Sequence, residues 1–69
     1  MKITIIRKDS FRCLECNSKL HVLEFDLGSV KDEFLGCTKC YKVYISFGRR
    51  LKECPFATEM FKEYKFSEK

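Results

Sequence analysis

Cys13-Leu14-Glu15-Cys16 and Cys37-Thr38-Lys39-Cys40 decide the reading of this chain, with twenty residues between Cys16 and Cys37. Two residues between cysteines let both sulfurs of one tight turn, a knuckle, face the same point. Two knuckles at this separation fit the spacing of a four-thiolate metal site. A tetrahedral Zn2+ takes such sulfurs at about 2.3 Å each. The spacing therefore predicts one Zn2+ per chain, held by Cys13, Cys16, Cys37 and Cys40. Two disulfides would use the same residues and stand as the alternative.

Size and setting favour the metal. The chain has 69 residues, and 45% of them are hydrophobic. A core from so short a chain rarely supplies more than about 3–5 kcal/mol. In small zinc domains, metal binding of about 10–16 kcal/mol is folding energy. The apolar run at the start, Ile3 to Ile6, is too short for a secretory signal. No stretch approaches the length of a membrane span. The expected compartment is the cytoplasm, where thiols stay reduced.

The formal charge of +4 counts the cysteines as neutral. Four thiolates (−4) and a dication (+2) leave −2, so the loaded protein carries about +2. Basic residues flank both knuckles: Arg12 and Lys19 at one, Lys39 and Lys42 at the other. They offset the anionic cluster, or they form the footprint of a nucleic acid. The latter favours a stronger one-sided excess.

The expected fold is a small α+β zinc ribbon, one domain over 1–69. It places a short antiparallel sheet and the two knuckles in 1–53, and a helical tail in 54–69. Lys2 to Arg7 reads as a strand that Asp9-Ser10 breaks. Lys19 to Leu27 reads as a second strand. His21, Leu23, Phe25 and Leu27 fall on one face, and Leu20, Val22, Glu24 and Asp26 on the other. Gly28-Ser29 and Lys31-Asp32 form a loop, and Glu33 to Gly36 returns to the second knuckle. Tyr41 to Phe47 is dense in β-branched and aromatic residues and reads as a strand, ended by a turn at Gly48-Arg49-Arg50. From Pro55 to Phe66 the pattern is helical, with Phe56, Met60 and Tyr64 recurring every four residues. Pro55 suits a first helical turn, but no good N-cap residue precedes it.

No catalytic constellation is visible. His21 has no carboxylate partner in sequence, and there is no phosphate loop or nucleophile motif. Four thiolates leave a zinc ion no open position for water, so no enzymatic activity and no small-molecule substrate are expected. A rubredoxin-like iron also uses paired knuckles, usually with Gly after the second Cys of each pair. Asn17 and Tyr41 stand there and count against iron. Cys54 lies outside both knuckles and reads as a buried thiol beside the helix start.

The order knuckle, strand pair, knuckle, strand resembles a zinc ribbon. More specifically it resembles the small zinc-binding activator subunit shared by tRNA, rRNA and translation-factor methyltransferases. Cys13, Cys16, Leu20, Cys37, Cys40, Tyr44, Ile45, Gly48 and Leu51 carry the likeness, over residues 5–52. Leu14 stands where that family has Pro, no Pro follows Tyr44, and Gly48 comes one residue early. The resemblance implies a larger enzyme as obligate partner, and no catalytic residue in this chain.

Two binding functions follow. In the first, the chain is a protein-binding adaptor or activating subunit. Ten aromatic residues exceed what a thin sheet covers, and Tyr41, Tyr44, Phe47, Phe56, Met60, Phe61 and Tyr64 are the expected partner surface. In the second, the basic stretch Lys39 to Lys52, interleaved with Tyr41, Tyr44 and Phe47, binds nucleic acid. Arg49 and Arg50 are candidate anion contacts in either case.

Overall fold

Five strands run in chain order as one antiparallel meander, followed by a helix: β1 (Lys2–Arg12), β2 (Lys19–Asp26), β3 (Lys31–Gly36), β4 (Val43–Phe47), β5 (Arg50–Glu53) and α1 (Pro55–Ser67). The computed structural model describes residues 2–67, so the last part of the expected tail lies outside the described residues. The zinc-ribbon architecture expected from the sequence is the one observed.

The meander explains why the knuckles meet. In an antiparallel meander every second connection returns to the same end of the sheet. The β1–β2 and β3–β4 connections are the two knuckles, so both lie at one end. They are separated by about two strand spacings, roughly 10 Å, a gap that the cysteine side chains close.

Alternation in β2 was legible and is correct. Leu23 and Phe25 join Ile3, Val43, Ala57 and Phe61 in a core under α1. Leu20 and Val22 join Leu35, Tyr44, Cys13 and Cys37 in a second core on the opposite face. Cross-strand neighbours share a face: Ile3 opposes Phe25, and the row Val22, Leu35, Tyr44 crosses three strands.

Several strand boundaries differ from expectation. β1 does not stop at Asp9-Ser10 but runs to Arg12 through two irregularities in its pairing. Ile6 is skipped between Ile5 and Arg7, and the register slips again between Lys8 and Arg12. Asp9 Oδ2 accepts the Phe11 N–H at 3.3 Å, so the supposed breaker braces a bulged strand. Lys31 and Asp32 belong to β3 and not to the loop, and β4 begins at Val43, not Tyr41. The sequence reading also missed β5. Gly48, at φ 61, starts a two-residue turn that pairs Phe47 with Arg50. Gly-x is a known signature for such a hairpin, and Gly48-Arg49 carries it.

The helix docks through polar contacts at Thr58 and through several apolar ones. Thr58 Oγ1 accepts the Val43 N–H at 2.9 Å, and Thr58 is buried. The Cys54 N–H donates to the Val43 carbonyl, and the Cys54 carbonyl accepts the Thr58 N–H. α1 thus begins where β4 leaves the second knuckle. Among the described residues no helix is long and apolar enough to cross a membrane.

Candidate metal centre

The two knuckles are built alike. In the first, the Cys13 N–H donates to the Ser18 carbonyl and the Asn17 N–H to the Cys13 carbonyl, at 2.8 and 2.9 Å. In the second, the Cys37 N–H donates to the Lys42 carbonyl and the Tyr41 N–H to the Cys37 carbonyl, each at 2.9 Å. Asn17 and Tyr41 both adopt the left-handed conformation, with φ 61 and 62. Asn takes this conformation readily, whereas an aromatic residue there is strained. The Tyr41 ring meets Phe61 edge-on at 5.7 Å, so the helix braces the strained residue.

The sulfurs of Cys13, Cys16, Cys37 and Cys40 all lie within 4.8 Å of one another. Cys16 Sγ and Cys37 Sγ are 3.5 Å apart. A tetrahedron of sulfurs at about 2.3 Å from zinc has edges of about 3.8 Å. The four cysteines are therefore positioned to bind one metal ion. Cys13 and Cys37 are buried and Cys40 is half-buried, while Cys16 reaches solvent. Cys54 is half-buried against the core under α1 and is not part of the cluster.

Backbone amides already face the sulfurs. The Glu15 N–H donates to Cys13 Sγ at 3.4 Å, and the Cys40 N–H to Cys37 Sγ at 3.3 Å. Such bonds favour thiolate over thiol. The Ser18 hydroxyl, 3.4 Å from Cys16 Sγ, and the Ser18 N–H draw the Cys16 thiol down to about 6. Cys40 is pushed up to about 12, chiefly by the neighbouring Cys16 sulfur. Burial raises Cys37. At Cys13 burial acts the same way, but the Tyr44 hydroxyl and the amides of Cys16 and Glu15 outweigh it and lower the thiol. Cys16 and Cys13 thus ionise more readily than free thiols, while Cys40, bonded to the Cys16 sulfur, and Cys37, buried, resist. A central cation removes that resistance.

Side chains tie the knuckles together. Arg12 donates to the Asn17 carbonyl at 3.0 Å. Lys42, after the second knuckle, reaches Glu15 in the first at 3.2 Å and Glu53 of β5 at 3.7 Å. Two of the four basic residues expected to offset the cluster thus serve as struts.

The expected partner surface needs correction. Tyr44 and Phe61 are each only 1% exposed and are core residues on opposite faces of the sheet. Tyr41, Met60 and Tyr64 pack half-buried against the core under α1. Phe47 and Phe56 do face solvent, at 59% and 75%. They do not form one stripe: Phe47 adjoins the turn at the far end of the sheet, while Phe56 opens α1 at the knuckle end. The surplus of rings was overestimated because both sheet faces carry a core. Arg49 and Arg50 are exposed beside that far turn, away from the cysteines. Sequence reasoning missed Leu14, an exposed apolar residue at the first knuckle's tip. In the sequence it marks only the absence of the Pro that the resembled family has there.

Comparison with protein-family models, with curated proteins and with solved structures returned no match.

The role of Cys54 can be checked directly. Cys54→Ala is expected to keep full metal content and lose about 1 kcal/mol, the scale of a small buried deletion. Metal content by elemental analysis and a thermal melt measure both, and loss of the ion would mean the ligands are misassigned.

Proposed function

We propose that this chain is a structural-zinc module with no catalysis of its own, serving a larger protein as an adaptor or stabilising subunit. One observation carries the metal half: four cysteine sulfurs within 4.8 Å at the joint of two hairpins. Four thiolates complete a tetrahedral site, so the ion holds chain segments together and admits no substrate.

The same donors also suit iron. The sequence argument against iron was that Asn17 and Tyr41 replace Gly. That argument loses force here, because both residues adopt the backbone that Gly would supply. The choice of zinc rests on the default for structural four-thiolate sites. Elemental analysis of purified protein is expected to give one zinc per chain and a colourless solution. A red, iron-bearing protein would overturn it.

The adaptor half is supported by exposed apolar side chains, Leu14 and Phe56 toward the knuckle end and Phe47 at the far end. It is also supported by the likeness of residues 5–52 to the methyltransferase activator subunits, which makes a methyltransferase the partner to try first. The nucleic-acid reading keeps Phe47, exposed beside Arg49 and Arg50, but loses two of its three rings, since Tyr44 is buried and Tyr41 packs on Phe61. Capture of a protein partner from native extract is expected to survive moderate salt. Phe56→Ala is expected to weaken it by about thirtyfold, the equivalent of 2 kcal/mol for an aromatic anchor. Binding that needs Arg49 and Arg50 and collapses with salt would favour nucleic acid.

A further inference from the structure

The Tyr44 ring sits in the core with Leu20, Val22 and Leu35, where a Phe of the same shape would serve. Its hydroxyl needs another explanation. A buried phenol requires a hydrogen-bond partner. Here that partner is a ligand sulfur: Tyr44 Oη lies 3.4 Å from Cys13 Sγ, thirty-one positions away in the chain.

We propose that Tyr44 belongs to the metal centre as a positioning residue, its O–H donating to the Cys13 thiolate and fixing the orientation and basicity of that ligand. The proposal rests on the zinc reading above and deepens it. The direction of the bond follows from chemistry. A metal-bound cysteine has lost its proton, so Cys13 can only accept. A phenol keeps its proton at neutral pH, so Tyr44 can donate.

The two knuckles, alike in backbone, differ in the partners of their first sulfur. Cys13 has the Tyr44 hydroxyl in addition to the amides of Glu15 and Cys16. Cys37 has the amides of Cys40 and Lys39. Each donor draws charge from sulfur and lowers its reactivity. Cys13, buried and most fully bonded, is the thiolate best protected from oxidation or alkylation. Cys16, exposed and beside the small Ser18, is the one that reacts first.

The test is Tyr44→Phe in the full chain, which keeps the ring and removes the oxygen. Partners of this kind are worth about 10–100-fold in metal affinity. Competition with a chelating dye is expected to show Zn2+ held at least about tenfold more weakly, with an unchanged circular dichroism spectrum. With Co2+ in the site, the sulfur-to-metal charge-transfer band is expected to move to longer wavelength, because the sulfur has lost a donor. Leu35→Ala, which loosens the same core, is expected to leave that band in place. Affinity within twofold of the parent and an unmoved band would overturn the proposal while leaving the zinc reading intact. A parent chain that takes up neither ion overturns both. If Tyr44→Phe fails to fold, the parent loaded with an NMR-active cadmium isotope decides. The Tyr44 hydroxyl proton is expected to be shielded from exchange and coupled to the metal through Cys13. A freely exchanging, uncoupled hydroxyl would refute the assignment.

Discussion

Cys13→Ser is expected to abolish the folded state, and so is removal of the ion by a strong chelator. The reason lies in where the ligands sit. Cys13 and Cys37 are not surface attachments: both are buried members of the core that holds Leu20, Val22, Leu35 and Tyr44. The same two residues carry the backbone bonds that close each knuckle. The sheet that remains is small, and a core of this size supplies only about 3–5 kcal/mol. Zinc binding on the order of 10–16 kcal/mol exceeds that several times over. A serine at position 13 would also bury a hydroxyl beside three crowded thiols. The expected readout is collapse of amide dispersion in an NMR spectrum and loss of a cooperative thermal transition. Cys40→Ser is expected to behave the same way. Cys16→Ser should be the mildest, since Cys16 is the exposed ligand and has no core packing to lose. A Cys13→Ser protein that still melts cooperatively near the parent temperature would show that the metal is an accessory to this fold.

Local rules made much of this structure legible. The knuckle spacing identified the four sulfurs that converge, because a meander leaves few other ways to use them. Strict alternation from Leu20 to Phe25 placed each residue of β2 on its correct face. The four-residue recurrence of Phe56, Met60 and Tyr64 located α1 to within a residue of its observed end.

What stayed hidden depended on contacts distant in sequence. Tyr44 alternates with Val43 along β4, and alternation says only that they face opposite ways. Both faces are buried, so Tyr44, expected on a partner surface, packs in the core against Cys13. The bulges in β1 are set by pairing with β2, and Asp9-Ser10 taken alone resembles a strand end. β5 is four residues long, Arg50–Glu53, with charged side chains at Arg50, Lys52 and Glu53. Such a sequence has little strand character of its own. It is a short charged edge of the kind that discourages further pairing.

Phe61→Ala is expected to be the most damaging change outside the cysteines. Phe61 is 1% exposed and packs with Ile3, Leu23, Phe25, Val43 and Ala57. Emptying such a site costs about 3–5 kcal/mol, comparable with everything the core supplies. The loss would not stay in the helix. A thirteen-residue helix is marginal by itself, and Phe61 is its main apolar anchor. Once α1 loosens, Thr58 leaves Val43, whose N–H is then unpaired. Tyr41 loses the ring that supports it at φ 62, a conformation that costs about 1–3 kcal/mol where surroundings do not enforce it. Tyr41 directly follows the ligand Cys40, so the second knuckle should relax and hold its ion less tightly. The melting temperature is expected to fall by at least about 12 °C, at 4–8 °C per kcal/mol for a chain of this size. Zn2+ competition should show weaker retention in the same sample. Phe56→Ala is the matched control: it sits on the same helix, removes the same ring at 75% exposure, and should change stability by less than about 0.5 kcal/mol. Equal effects from the two substitutions would mean that α1 is not docked through Phe61, and that the helix contributes nothing to the metal centre.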